Sequence, residues 1–331
     1  MIKEFDLQEI FNKTGLDNVF NKPLIVEEIE NLTYPIKKEV WDNWFSFAFL
    51  AFKKINLENI KSLALIGTGP GVDAIGGLAV FKNLEKLIIT DINQEILDIA
   101  KKNIQKFTNI EVIALKGSLC QPLKYNNIKV DLIYENLPNI PDTNTIVKNY
   151  KASSTFDPSK TFKGNINSSF NDLYKELKKY LLESHFGTLI EAKESLNEGG
   201  SLICSIGGRV PYDLIKKMIE SVGYKFEDLI SGFKLQTEPW EVLPGYSDAE
   251  KIHNVKFTFY KYKESIKLLE KENLENPFVK WTGDKLKDFL SENRLNISSI
   301  DADNIYNKLK SSNHDPYCNF GHVIHMFRVI K

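Results

Sequence analysis

Residues 61–91 read KSLALIGTGPGVDAIGGLAVFKNLEKLIITD. Leu63 to Gly67 can form a buried strand. A turn with Gly67, Gly69 and Gly71 follows, then a small-residue helix pattern from Val72 to Phe81 and a second strand, Leu87 to Thr90, ending on Asp91. Glycines in such a turn let the backbone approach a ligand closely, because no Cβ intrudes. A carboxylate about twenty residues on can accept two hydrogen bonds from a ribose diol. Strand, glycine turn, helix, strand and acid together point to an α/β crossover with a nucleoside-type ligand at the sheet's rim.

The wording of the turn narrows the ligand. A dinucleotide fingerprint runs G-x-G-x-x-G, with the pyrophosphate on the helix N-terminus. Read from Gly67, the third glycine comes one place early; read from Gly69, the sixth place is Ala74, which fits the looser form. Asp73 would set a negative charge in the first helical turn, facing a pyrophosphate, so a ligand without phosphates suits the loop better. Gly67-Thr68-Gly69-Pro70-Gly71, with Asp91, resembles motif I of the class I S-adenosylmethionine (SAM) methyltransferases. The resemblance implies SAM as cofactor, with Gly67, Gly69 and Gly71 beside its amino-acid part and Asp91 and Ile92 at its ribose.

The chain has 331 residues, enough for one large domain with additions or for two domains. Hydrophobic residues at 42% allow a sizeable core. With 43 basic and 44 acidic residues, net charge gives no electrostatic reason for a nucleic-acid partner. Cys120, Cys204 and Cys318 are scattered and odd in number. They make neither a metal-ligand spacing nor a disulfide framework, so a reducing cytoplasm is the expected compartment. The start, MIKEFDLQEIFNK, is charged throughout, unlike a signal peptide. No run of about eighteen apolar residues predicts a membrane span.

Residues 1–60 are expected to form an N-terminal helical cap. Ile36 to Ile55 reads as one helix whose Val40, Trp41, Trp44, Phe45, Phe47, Ala48, Phe49, Ala51 and Phe52 cover more than one face. It is either buried against the sheet or a lid whose Tyr34, Trp41 or Trp44 lines a pocket, and the two readings are compatible. After Asp91 come a helix pattern, Asn93 to Phe107, and a third strand, Ile110 to Leu115. Lys116 to Leu123 (KGSLCQPL) resembles the G-D-L-F-x-P-L segment of release-factor and ribosomal-protein glutamine methyltransferases. Ser118 holds the place of the acid that meets the adenine amino group there, and Ser118 and Leu119 carry over as cofactor residues.

Val130 to Tyr134 is a fourth strand, followed by Glu135-Asn136-Leu137-Pro138-Asn139. Ligands of open α/β sheets react beyond the C-terminal ends of the strands. Asn136 to Asn139 resembles the N-P-P-Y motif of methyltransferases acting on amide or amino nitrogens, with Leu137 for the first proline and Asn139 for the aromatic. The resemblance implies that Asn136, which also touches the cofactor, accepts a hydrogen bond from the target NH₂, with Glu135 second in importance. Residues 141–170, polar and rich in Ser, Thr and Asn, read as a lid insertion or a mobile linker. Tyr150, Phe156 and Phe162 could close the pocket.

A helix from Asn171, a fifth strand at Ser201 to Ile206, a helix at Pro211 to Ser221 and a sixth strand at Tyr224 to Ile230 follow. Arg209, at a strand end, could hold a carboxylate or make a surface pair. Gln236 to Glu250 reads as an insertion before a last core strand at Val255 to Tyr262, with Trp240 and Tyr246 able to reach the pocket. Residues 263–331 would be a C-terminal extension ending in a strand at His322 to Ile330. Two histidines three apart, His322 and His325, would lie on opposite faces of a strand, which argues against a metal site.

The expected architecture is a seven-stranded, mostly parallel class I SAM-methyltransferase (Rossmann-like) sheet spanning residues 61–262. The closest resemblance is to the N-P-P-Y glutamine methyltransferases. The expected function is methyl transfer from SAM to a nitrogen of a small-molecule substrate, with neither nucleic acid nor membrane as partner. Three alternatives stay open. One is cyclisation of SAM to azetidine-2-carboxylate with release of methylthioadenosine; the others are protein glutamine methylation and non-catalytic SAM binding. Oligomeric state is not set by the sequence.

Overall fold

A computed structural model describes residues 1–17, 19–30, 32–33, 35–55, 60–141, 155–156, 166–272, 281–317 and 319–331. The chain opens with β1 (Ile2–Asp6), α1 (Gln8–Lys13) and β2 (Ile25–Ile29), and β1 pairs antiparallel with β2. A short 3-10 turn at Val40–Asp42 leads into α2 (Trp44–Lys54). Next come β3 (Ser62–Ile66), α3 (Val72–Val80), β4 (Lys86–Asp91), α4 (Gln94–Gln105), β5 (Glu111–Lys116), α5 (Gln121–Tyr125) and β6 (Val130–Glu135). β7 (Ile140–Pro141) and β8 (Thr155–Phe156) form a small parallel pair. The chain continues through α6 (Asn171–Lys179), α7 (Glu183–Ser195), β9 (Leu196–Gly207), α8 (Tyr212–Ser221) and β10 (Lys225–Leu235). It closes with α9 (Pro239–His253), β11 (Thr258–Lys261), α10 (Tyr262–Lys271), α11 (Lys285–Glu292), β12 (Asn296–Ser298), α12 (Ser299–Ser311) and β13 (Phe320–Ile330).

The sheet runs β5–β4–β3–β6–β9–β13–β10, with β11 beside the start of β13 and β12 beyond it. The first five of these strands are parallel, and β13 is antiparallel to β9 and β10 on either side. Leu63, Ala64, Leu65 and Ile66 are all buried, as a strand covered on both faces requires. One apolar cluster lies under α2, α3 and α4 and holds Phe47, Phe49, Phe52 and Tyr134. A second lies under α7 and α8 and holds Ile133, Phe186 and Ile215, and a third holds Phe233, Tyr260, Leu269 and Leu286.

Four expectations are corrected. The helix expected over residues 36–55 is split at Asn43, whose backbone is extended (φ −103°, ψ 131°). Its side chain accepts from the Lys37 N–H and donates to the Lys37 and Glu39 carbonyls, an alternative to the helical ladder. The N-terminal cap contains the β1–β2 pair as well as helices. Residues 239–253, which overlap most of the expected insertion at 236–250, form α9. The seventh strand of the sheet is β13, not the segment at 255–262, which supplies only the short β11. β13 wins because it pairs along most of its length with two neighbours, whereas β11 meets it only at Phe320 and Gly321.

The small residues of α3 are set by packing. A Cβ at Gly76 would stand 2.0 Å from the Phe49 ring of α2. Gly76→Ala is therefore expected to destabilise the protein by about 1–3 kcal/mol, despite the better helix propensity of alanine. Urea unfolding checks this, and a variant as stable as the parent would refute the close α2–α3 contact.

Candidate active site

β3 and β6 are neighbours, but β3 leads on to β4 and β6 to β9 on the other side. This is the switch point at which open α/β sheets bind ligands. The glycine turn leaves the end of β3. Gly67 and Thr68 donate to the Thr90 carbonyl (3.0 and 2.9 Å), which ties the turn to β4. Asn103 of α4 donates to the Pro70 carbonyl at 2.9 Å and to the Glu27 carbonyl at 2.7 Å, anchoring the turn to β2 as well. Gly67, Gly69 and Gly71 all have positive φ (70°, 51° and 87°), where a side chain would be strained. A Cβ at Gly69 would meet nothing within 4 Å, so the bare backbone faces open space.

Asp91 ends β4 beside this opening. Its Oδ1 accepts from the Asn93 N–H at 3.0 Å, and the Gly69 and Ile92 N–H groups also face the carboxylate. Burial raises its pKa above the usual carboxylate range. Ile92, next to it, is 64% exposed, an apolar surface on the same rim. Ser118 is half-buried, and Leu119 is buried in a left-handed conformation (φ 49°) past the end of β5. Asp73 does not face the opening as the sequence suggested. Its Oδ1 is sealed from solvent beside the Tyr134 hydroxyl, and burial pushes the carboxyl up to about 7.

The segment after β6 is held on both sides of Asn136. Glu135 is fully buried. Its Oε1 accepts from Nδ1 of His185 on α7 at 2.7 Å and its Oε2 from the Leu137 N–H at 3.3 Å. Downstream, the Tyr246 hydroxyl of α9 lies 3.0 Å from the Asn139 carbonyl and 3.1 Å from Asn139 Oδ1. Tyr246 in turn lies against the Arg209 guanidinium, 5.2 Å from the ring centre. Between these anchors Asn136 is half-buried, and its side chain has no hydrogen-bond partner among the described residues. Leu137 reaches back to the glycine turn: a Cβ at Gly67 would stand 3.2 Å from Leu137 Cδ2. The structure thus brings Gly67, Gly69, Asp91 and Asn136 to one end of neighbouring strands. It turns Glu135 beneath the rim as a support.

The aromatic candidates divide. Trp41 packs on Phe47 in the cap (ring centres 5.8 Å) and Trp240 on Tyr317 (5.1 Å). Tyr34, Tyr150 and Phe162 lie outside the described residues, as do most of residues 141–170 and Cys318. Phe156 falls in β8. Arg209 does not lie at the surface, as a surface pair would require. It is buried, donates from Nε and Nη2 to Gln236 Oε1 (3.1 and 2.7 Å), and lies over Tyr246 and Phe259. His185 was not singled out in the sequence. Among the described residues no group of three acidic, histidine or cysteine side chains is placed to hold a metal ion, and no helix is long and apolar enough to cross a membrane.

No family model matches the chain. A curated protein, the release factor glutamine methyltransferase of Mycoplasma mycoides, is 34% identical over 85 residues, covering 25% of this chain and 30% of that relative's length. The chain spans less than a third of that relative's length, and its own strand order is that of a Rossmann-like α/β sheet. Among solved structures, the ribosomal protein L11 methylase of Lactobacillus delbrueckii is 17% identical and covers 60% of this chain and 75% of that one (TM-score 0.38). A methyltransferase from Pyrococcus furiosus is 20% identical over 60% and 81% (TM-score 0.37). Likenesses at these TM-scores carry no argument about the protein's role. The small-molecule partner expected from the sequence is corrected here: the curated relative is named for a protein substrate.

Proposed function

We propose that this chain is a SAM-dependent methyltransferase acting on the side-chain amide nitrogen of a glutamine in a protein. The observation that carries the reading is Asn136. Its side chain lacks a partner among the described residues, stands at the end of β6 beside the glycine turn, and is braced through Glu135 and Asn139. The likeness to a release factor glutamine methyltransferase supports the protein substrate.

The residues present fit SAM. The open space at Gly69 leaves room for a ligand against bare backbone, Asp91 offers a carboxylate for a diol, and Ile92 offers an exposed apolar side chain for a flat base. When bound, SAM supplies a methyl group on a sulfonium that needs little activation. The protein's own task is alignment and the exclusion of water. Asn136 Oδ1 can accept from the target NH₂, fixing the amide so that its nitrogen faces the donor. Glu135, His185 and Tyr246 keep the Asn136 backbone from shifting during that alignment.

Mass spectrometry of a release factor incubated with the chain and methyl-labelled SAM tests the proposal. One labelled glutamine and free S-adenosylhomocysteine are expected. Methylthioadenosine as the sole product, with unlabelled protein, would refute it. Asp91→Ala is expected to weaken SAM binding by about 10-fold or more, the loss of charge-assisted hydrogen bonds. Isothermal titration checks this, and an unchanged affinity would move the nucleoside away from β4.

A further inference from the structure

The face of the sheet that carries Asn136 continues outward to a lysine with no role in the alignment described above. Tyr134 of β6 is level with Ile203 of β9, and Ser205 and Gly207 follow Ile203 on the same face by strand alternation. Gly207 is opposite Ile324 of β13, and His322, two residues earlier on β13, is opposite Lys234 of β10. Asn136, Gly207, His322 and Lys234 therefore share one face at one rim. Three strand spacings, about 14 Å, separate β6 from β10, and Lys234 lies four residues beyond the level of Asn136, so the two stand about 19 Å apart.

Trp44, at the start of α2, covers this row. Its ring lies 5.4 Å from the His322 ring and 5.7 Å from Lys234 Nζ, and a Cβ at Gly207 would stand 3.7 Å from it. Trp44 itself is only half-buried. Beneath it Lys234 is 1% exposed and Nζ donates to the Leu235 carbonyl at 2.9 Å. No carboxylate among the described residues lies within ion-pair distance of it. The acids that face it are Asp42, whose own charge is disfavoured by burial, and Glu238, which pairs with Lys37 at 3.6 Å. Arg209 adds a second positive charge nearby. His322 is kept neutral by burial and by these two cations. Its Nδ1–H donates to the Val323 carbonyl, leaving Nε2 without a partner among the described residues.

A buried ammonium without a close counterion is costly, and burial pushes the lysine's pKa down to about 7. An arriving carboxylate would supply the missing charge, with His322 Nε2 able to accept a second ammonium hydrogen. The geometry points to Lys234 as a specificity-determining residue that receives an acidic side chain of the protein substrate under Trp44, about 19 Å from Asn136. The inference rests on the protein-glutamine reading for its choice of substrate, but its test does not depend on turnover.

The probes are short glutamine-centred peptides with one glutamate at successive positions on either side, and matching peptides with glutamine there. Fluorescence polarisation reads binding and label transfer reads KM. At least one acidic peptide is expected to bind about 10-fold or more tightly than its neutral match. Lys234→Met should erase that preference and Lys234→Arg should keep it, with urea unfolding confirming that both variants fold. No acidic preference in the parent protein, or the same preference in Lys234→Met, would overturn the assignment. A lysine-dependent preference in binding without methylation of any peptide would uphold it and sink the glutamine-methylation reading instead.

Discussion

Asn136→Ala is expected to lower methyl transfer by about 100-fold or more while SAM still binds. The reasoning is geometric. Asn136 projects from a segment whose neighbours are pinned, by Glu135 to the Leu137 N–H on one side and by Tyr246 to Asn139 on the other. Alanine would leave that backbone in place and remove only the group that accepts from the target amide. The cofactor contacts proposed for Gly69 and Asp91 lie on β3 and β4, so binding and transfer should separate cleanly. Single-turnover kinetics with SAM pre-bound checks the prediction. Parent-like transfer would move the reacting nitrogen away from the end of β6.

The second large effect concerns stability. His185→Leu should destabilise the fold by about 1–3 kcal/mol, the cost of leaving a buried acceptor without its hydrogen-bond partner. Glu135 is fully buried, its carboxylate is 2.7 Å from His185 Nδ1, and the thiols nearby, Cys120 and Cys204, are pushed well above their ordinary range by burial. They offer Glu135 no charge. Adding Glu135→Gln to His185→Leu should recover much of the loss, since an amide can still accept from the Leu137 N–H and is cheaper to bury without the imidazole than a carboxyl group. Urea unfolding of the two variants and the parent decides the matter. A small cost for His185→Leu alone would mean that another group satisfies Glu135.

The legible parts of this molecule were the local ones. The glycine turn, Asp91 and the strand ending at Glu135 are each written within a short window, as apolar runs bounded by residues with special backbone or charge. The fold class followed, because strand and helix periods alternate from residue 61 to 135. Contacts between distant segments were not legible. His185 meets Glu135 across 50 residues and sits in a helix with no marked apolar face, so no local pattern singled it out. The seventh strand was misplaced because residues 255–262 and 320–330 are both apolar enough to be strands. Which one enters the sheet depends on pairing length with β9 and β10, a property of three segments at once. Lys234 was the one missed residue with a usable signal. Strand alternation from Ile230 through Gly232 sets it on an inward face, where a lysine is out of place.

The position of β13 has a consequence for biosynthesis. On the ribosome the strand between β9 and β10 is made after both of its partners, more than eighty residues later than β10. Until it emerges, both of those partners present a full edge of bare N–H and C=O groups to solvent or to each other. A nascent chain stalled before residue 320 should therefore be a preferred target for chaperones or for aggregation, even though its glycine turn and Asn136 are already complete.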